Sequence, residues 1–201
     1  MTPDEYKSLY ELEEHHWWFV GMRCIVAAIM DRFVSVPPTR IFDAGCGTGF
    51  MMSWLRRYGQ ASKIIGLDVS SDALDYCRRR GENLLIRGSV VNLPLASESF
   101  DLVVCFDVLV QCKLEDAAQS VGELSRLLSK GGLILIRVAA YQCLYSMHDR
   151  ALGTHHRYRA PELAEFLKKQ GLQLEYVTYA NTLLFPAAVV WRWFQRLRPQ
   201  C

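Results

Sequence analysis

The 201-residue sequence has no CxxC pair, and none of its seven cysteines stands with histidine at a spacing that closes a tetrahedral zinc site. No two histidines are four residues apart and no carboxylate cluster accompanies them, so no metal site is expected. The odd cysteine count implies free thiols in a reducing, cytoplasmic compartment. An excess of one charge is missing too. Lys plus Arg at 23 against Asp plus Glu at 21 leave +2, too little to drive counterion release from a nucleic-acid backbone, so nucleic acid is not an expected partner. No apolar run reaches the roughly 20 residues of a membrane-spanning helix. The longest uncharged apolar stretch, Ala180 to Trp191, is interrupted by Pro186. The opening MTPDEYKSLYELEEHHWWF is acidic and has no apolar core, so no secretory leader is expected. What is present is a chain 51% hydrophobic and 22% charged, a composition that folds on a core and, at this length, as one domain.

Residues 4 to 34 carry apolar side chains at helical spacing, from Leu9 and Leu12 through the Trp17 to Val20 block into CIVAAIMDRFV, and Pro37-Pro38 ends the helix. From Arg40 onward, short apolar runs (Ile41-Phe42, Lys63 to Leu67, Leu84 to Ile86, Leu102 to Phe106, Leu133 to Val138) alternate with helical stretches (Phe50 to Arg57, Asp72 to Arg80, Ala117 to Leu128, Pro161 to Lys169). That alternation predicts an α/β fold, a doubly wound and mostly parallel sheet with helices on both faces. Leu172 to Tyr179, behind the C-cap glycine Gly171, reads as a sixth strand, and the tail from Asn181 as helix. The single domain, 1–201, then divides into a helical cap (1–39), a cofactor-binding core (40–138) and a final segment (139–201) that holds the substrate-side loop, the last strand and an apolar helix.

The most informative run is Ile41-Phe42-Asp43-Ala44-Gly45-Cys46-Gly47-Thr48-Gly49-Phe50, an apolar strand that turns through three glycines into a helix. Such a turn lets backbone approach a ligand closely and presents free N–H groups. A dinucleotide loop would place Gly or Ala three residues after Gly47, where Phe50 stands, so a pyrophosphate is not provided for. Asp43 would repel a diphosphate but accepts from an ammonium or from loop amides. A zwitterionic amino-acid tail beside a positive sulfur satisfies both ends of that arrangement. Asp68 closes the next strand 19 residues after Gly49, close to the spacing of a carboxylate that takes the two ribose hydroxyls. Ser70 and Ser71 stand nearer the following helix and are free to cap it, which leaves Asp68 for a ligand.

At this point the sequence resembles the class I S-adenosylmethionine-dependent methyltransferases over residues 14 to 186. DAGCGTG at 43 to 49 is similar to their first motif and Gly66-Leu67-Asp68 to their second. Gly88-Ser89-Val90 ahead of Leu93-Pro94 resembles the adenine loop, FDLVVCFDVL at 100 to 109 the fourth strand, and Arg126 to Gly132 the turn into the fifth. The resemblance implies a Rossmann-like fold, S-adenosylmethionine as cofactor, and contacts to it from Asp43, Gly45, Gly47, Gly49, Asp68, Val69, Ser89, Val90 and Phe106. Two positions depart from the pattern: Ser89 stands where the family usually has an acid, and Val110-Gln111-Cys112 where a Glu-His pair is common. The family's usual seventh strand has no counterpart after residue 180, which implies a trimmed sheet of six strands. Glu14 to Arg23 also resembles the opening of bacterial methyltransferases associated with polysaccharide and lipid-linked glycan pathways, which implies a small-molecule or glycan-like acceptor.

Methyl transfer is an in-line displacement, so alignment of the reactants contributes most, and a base near neutral pKa assists at a hydroxyl. His148, beside Asp149 on the carboxyl-end rim, is the first candidate; a loop histidine bonded to its neighbour is the alternative. His156, with His155, Arg157 and Tyr158, makes a cationic, aromatic segment suited to an anionic acceptor or to a solvated loop. Trp17, Trp18 and Phe19 cannot all share one helical face, so Trp18 is expected to cap the cofactor pocket and Arg23 to reach a ligand carboxylate. Arg78-Arg79-Arg80 reads as a solvated helix end. Leu183 to Arg198 runs from apolar residues to aromatics mixed with arginines, a pattern that suits a membrane surface or a partner subunit through 181–198, or packing on the sheet edge. Two rival functions stand beside methyl transfer: another use of the sulfonium such as cyclisation, and a non-catalytic binding subunit.

Overall fold

The computed structural model describes residues 1–59 and 63–197; Arg198, Cys201 and the side chains of residues 194–197 lie outside the described part. Two helices, α1 (Pro3–Leu12) and α2 (Trp17–Phe33), precede the sheet. The first is started by Thr2, which forms a reciprocal capping box with Glu5 ahead of Pro3. The strands are β1 (Arg40–Ala44), β2 (Lys63–Asp68), β3 (Leu85–Arg87), β4 (Phe100–Phe106) and β5 (Leu128–Arg137). Between and after them lie α3 (Phe50–Leu55), α4 (Ser71–Arg79), α5 (Leu114–Leu127), α6 (Met147–Ala151), α7 (Ala160–Lys169) and α8 (Phe185–Leu197). The strand order is β3-β2-β1-β4-β5, every pair parallel.

Period-two alternation sends neighbouring strand residues to opposite faces, and each face has its own core. Phe42, Leu67, Val103 and Cys105 meet Val121, Leu124 and Leu127 of α5 and Leu163 and Leu167 of α7. Ile41, Ile64, Leu102 and Val104 meet Val26 and Met30 of α2, Met52 and Leu55 of α3, and Leu74 and Cys77 of α4. The helices present those residues at three- and four-residue spacing, as an apolar stripe requires. Burying each such Val, Leu, Ile, Phe or Met contributes about 2 kcal/mol.

The expected sixth strand is not formed: among the described residues, Leu172 to Tyr179 has no ladder pairing. Leu172 and Leu174 pack with the α5–α7 core, whereas the Tyr176 ring lies 5.7 Å from Phe33 of α2, on the other face. The segment therefore crosses from one face of the sheet to the other instead of running along β5. Its side chains are taken by helices, and its backbone has no strand alongside it. Gly171 does take the left-handed conformation (φ 83°) that a C-cap uses, with its N–H on Lys168 O.

Because all five strands are parallel, Ala44, Asp68 and Phe106 reach the same edge of the sheet. The order reverses between β1 and β4, and a crevice at such a switch point is where an open α/β sheet binds its ligand.

Candidate cofactor site

The turn after β1 is built on left-handed glycines. Gly45 (φ 80°) and Cys46 donate their N–H groups to Leu67 O at 2.8 and 2.9 Å, which fastens the loop to the end of β2. A Cβ on Gly49 (φ 86°) would stand 3.1 Å from the Cys77 Cα, so α4 approaches too closely for any side chain. Asp68 joins the two motifs: its Oδ2 accepts from Gly47 N at 3.0 Å and its Oδ1 from Ser70 N at 2.9 Å. Ser70 is the N-cap of α4, as expected.

Asp43 is buried, and its Oδ2 has no hydrogen-bond partner. Burial, followed by the nearby carboxylates of Asp68 and Glu13, pushes its pKa up to about 7. An unpaired buried carboxylate oxygen is costly, so the chemistry of Asp43 fits a group that donates to it. Asp68 is raised as well, by burial first, while bonds from the Ser70 and Gly47 backbone act the other way.

Helix α1 roofs this turn. The Leu9 Cδ2 lies 3.8 Å from where a Gly47 Cβ would be, and the buried Tyr6 stands beside Asp68 and Ser70. Burial first, then Asp68, raises the Tyr6 phenol. Thr48 Oγ1 donates to Glu13 Oε1, and Arg80 reaches the same oxygen at 3.0 Å while donating to Thr48 O at 3.1 Å and Tyr10 O at 2.9 Å. Glu13 is raised by burial, with Thr48 and Arg80 pulling it down. The reading of Arg80 as a solvated helix end is thus corrected. Its guanidinium is mostly buried, lies 4.2 Å over the Tyr10 ring, and rivets α1 to the loop. Arg78 pairs with Asp75 at the surface. Nothing in the spacing of Tyr6, Glu13, Thr48 and Arg80 marks them as one cluster, since their meeting depends on how α1 folds back.

The remaining expected residues lie as follows. Val69 is exposed directly after Asp68, and its carbonyl accepts from Arg87. Ser89 is exposed and accepts from Val91 N at 3.3 Å, whereas Val90 is buried in the α5-side core. Phe106 is half-buried at the carboxyl end of β4 under the guanidinium of Arg137, 4.8 Å away. That guanidinium also holds Asp107, a left-handed residue (φ 60°), at 2.5 Å. Trp18 is exposed and packs edge-on against Trp17, with ring centroids 5.8 Å apart. Arg23 donates to the carbonyls of Glu13 and Glu14 and covers the Phe50 ring at 4.5 Å, so it fixes the α1–α2 turn over the start of α3.

Of the two histidines, His148 is exposed on α6. Its neighbour Asp149 turns inward to Arg157 at 2.8 Å and to Ser146, so no His148–Asp149 pair forms. His156 Nε2 lies 2.6 Å from Glu162 Oε1, and its ring stands edge-on to Tyr158 at 4.6 Å. The backbone N–H groups of His155 and His156 reach Val110 O, which docks this segment on the turn after β4. Glu162 was not expected from the sequence; the six-residue separation across a loop hides the pair.

Residues 42–136 match a family described as a methyltransferase domain. A probable S-adenosylmethionine-dependent methyltransferase of Mycolicibacterium smegmatis is 30% identical over 172 residues, 84% of this chain and 64% of the relative. A malonyl-[acyl-carrier protein] O-methyltransferase of Pectobacterium atrosepticum is 31% identical over 115 residues, 55% of this chain and 44% of the relative. The chain thus spans less than two thirds of either curated relative. Among solved structures, a putative methyltransferase in complex with the Haloferax volcanii Trm112 methyltransferase activator has the same fold. Its TM-score is 0.70 at 20% identity, over 96% of this chain and 92% of that one.

Proposed function

Since the chain belongs to the class I S-adenosylmethionine-dependent methyltransferases, with S-adenosylmethionine as cofactor, we propose that it transfers a methyl group to oxygen of a small-molecule or glycan-like acceptor. The observation that carries this reading is the buried Asp43 oxygen without a donor, at the end of β1 beside a turn of left-handed glycines. The residues present fit the cofactor: an ammonium group answers the open acceptor of Asp43, and Asp68 at the end of β2 is set for two ribose hydroxyls. When bound, S-adenosylmethionine supplies a methyl group on a positive sulfur, the electrophile of an in-line displacement.

This chain's own part is chiefly to align. Asp68, at the end of β2, accepts from Gly47 of the loop and from Ser70 at the cap of α4, so a ligand bound to its carboxylate would be held in one frame with both. Tyr6 and Leu9 exclude water from above. For proton removal from an acceptor hydroxyl, the pair of His156 and Glu162 is favoured over His148, because a base needs an orienting partner and only His156 has one. The cap (1–39), core (40–138) and segment 139–201 act as one domain in the cytoplasm on this reading.

Titration calorimetry with S-adenosylmethionine and S-adenosylhomocysteine, followed by a screen of acceptors with methyl-labelled cofactor, tests the proposal. Binding is expected to fall by at least about tenfold in Asp68→Ala, the worth of one charge-assisted hydrogen bond. His156→Ala is expected to lower turnover about 10²-fold or more without changing cofactor affinity. Release of methylthioadenosine instead of S-adenosylhomocysteine would refute methyl transfer, and unchanged binding in Asp68→Ala would refute the site.

A further inference from the structure

Two buried nucleophiles have no part in methyl transfer. Cys46, in the glycine turn, and Cys77, on α4, are 31 residues apart in the chain, yet their Sγ atoms lie in contact at 3.9 Å. Each sulfur fills the space that a glycine leaves open. A Cβ on Gly66 would stand 2.9 Å from Cys46 Sγ, and one on Gly49 would stand 2.9 Å from Cys77 Sγ. The Cys77 thiol also donates to Gly47 O at 3.2 Å, so the pair joins α4 to the middle of the turn. Gly47 is in turn the residue whose N–H reaches Asp68.

The two thiols are inert while the turn is closed. Cys77 is fully buried and Cys46 keeps only 5% of its surface in solvent. The contact with Cys77, and then burial, push the Cys46 thiol up, away from the reactive thiolate. Exposed thiols such as Cys24 meet any reagent, whereas this pair is reached only by a small oxidant and only when the turn opens.

We propose that Cys46 and Cys77 are a redox switch of the cofactor loop: hydrogen peroxide reaching the empty site joins them in a disulfide, and the linked turn weakens its hold on S-adenosylmethionine. One thiolate attacks the O–O bond of the peroxide, which leaves a sulfenic acid and, with the thiol proton, water; the second sulfur then displaces that hydroxyl as water and forms the S–S bond. Two thiols and one peroxide thus become one disulfide and two waters, each sulfur losing one electron and each peroxide oxygen gaining one. An S–S bond is about 2.05 Å long, so the sulfurs close by about 1.9 Å. That closure takes the Cys77 donor from Gly47 O and draws the turn toward α4, where Gly49 already leaves no room. The Gly47 peptide is thereby moved from its place against Asp68. A cofactor lying on the turn keeps it closed, so the empty site is the one oxidised, and a dithiol restores both thiols by exchange. The inference rests on the cofactor site proposed above and not on the choice of acceptor.

The full chain is treated with hydrogen peroxide, with and without S-adenosylhomocysteine at about 100 times its Kd, then alkylated, digested and read by mass spectrometry. Peptides linked through Cys46 and Cys77 are expected from the unliganded protein, formed at least about tenfold more slowly with the ligand bound. The affinity of the linked protein for S-adenosylhomocysteine should fall at least about tenfold and return with dithiothreitol. Amide exchange reads the turn without any ligand, and the Gly47 N–H should exchange faster once the link is made. Cys77→Ser keeps a hydroxyl for Gly47 O but cannot form the link, so peroxide should leave its affinity and its exchange as they were; Cys46→Ser supplies the same comparison if Cys77→Ser does not fold. No link between these two cysteines, a link that changes neither affinity nor Gly47 exchange, or an equal loss in Cys77→Ser would each overturn the proposal. A chain that forms the link with faster Gly47 exchange, yet binds no S-adenosylhomocysteine when reduced, would support the switch in the loop and refute the cofactor site instead.

Discussion

Asp43→Asn separates what the buried carboxyl costs from what it provides. In the unliganded fold its pKa stands at about 7 against an ordinary value of 3.8, with burial as the leading cause. About three units at about 1.4 kcal/mol each amount to about 4 kcal/mol. The folded pKa is raised, so the stability is fully present below the unfolded value and is lost as pH rises through 7. Unfolding by urea at a series of pH values should therefore show the unliganded protein losing up to about 4 kcal/mol between pH 4 and 8 from this group, and the asparagine variant should lack that component. Ligand binding has the opposite slope. A donor or cation placed against the open Oδ2 stabilises the carboxylate, so binding should expel about half a proton at pH 7 and tighten about tenfold from pH 6 to 8. Calorimetry of S-adenosylmethionine in two buffers of different ionisation enthalpy measures that proton directly. No proton release together with a flat pH dependence, or the same slope in Asp43→Asn, would refute the placement of the cofactor's cationic end at Asp43.

Gly49→Ala and Gly81→Ala make a matched pair, since both glycines are left-handed (φ 86° and 84°) but only the first has Cys77 at 2.9 to 3.1 Å from the added Cβ. The conformational cost of about 1–2 kcal/mol is common to both, so Gly49→Ala should be the more destabilising in urea unfolding and should also weaken cofactor binding. Equal midpoints would show that the approach of α4 to the loop is not tight. Glu13→Gln removes the charge that Arg80 and Thr48 share. Because Arg80 keeps its bonds to Thr48 O and Tyr10 O, the expected loss is about 1–3 kcal/mol, short of a fully broken buried pair. It should appear as faster amide exchange confined to α1; unaltered exchange there would mean that the Glu13 cluster does not hold the roof.

Local rules made most of the core legible. The alternation of β1 to β5 with α3 to α5, the positive-φ glycines at 45, 47 and 49, the cap at Ser70 and the C-cap at Gly171 all depend on residues within a few positions of each other. What was not legible depends on long-range packing. Leu172 to Tyr179 has the composition of a strand, yet the aromatic partner of Tyr176 lies on α2, and that contact diverts the segment across the sheet edge. The partners of Arg23 were equally hidden: its guanidinium donates to the carbonyls that close α1, ten and nine residues away, and the residues that lie over the glycine turn are Tyr6 and Leu9 of that folded-back helix. His148 and Asp149 are adjacent in the chain, but helix geometry sends neighbours about 100° apart, and Asp149 faces Arg157.

The charges around the glycine turn also bear on which ligand it takes. Asp43, Asp68 and Glu13 all sit near the glycine loop, and burial is the leading cause that raises each of them. Arg80 is engaged by Glu13 and Arg137 by Asp107, while Arg87, in register with Asp68, donates to Val69 O. A diphosphate would add two negative charges to this group of carboxylates, and the like charges would drive the carboxyls to take up protons. A ligand that carries an ammonium and a sulfonium relieves the same crowding, and its ribose hydroxyls donate to a carboxylate that already holds the loop. The missing glycine at Phe50 and the surplus of acid at 13, 43 and 68 are therefore two expressions of one preference: the turn has the outline of a dinucleotide loop and the electrostatics of a site for a cation.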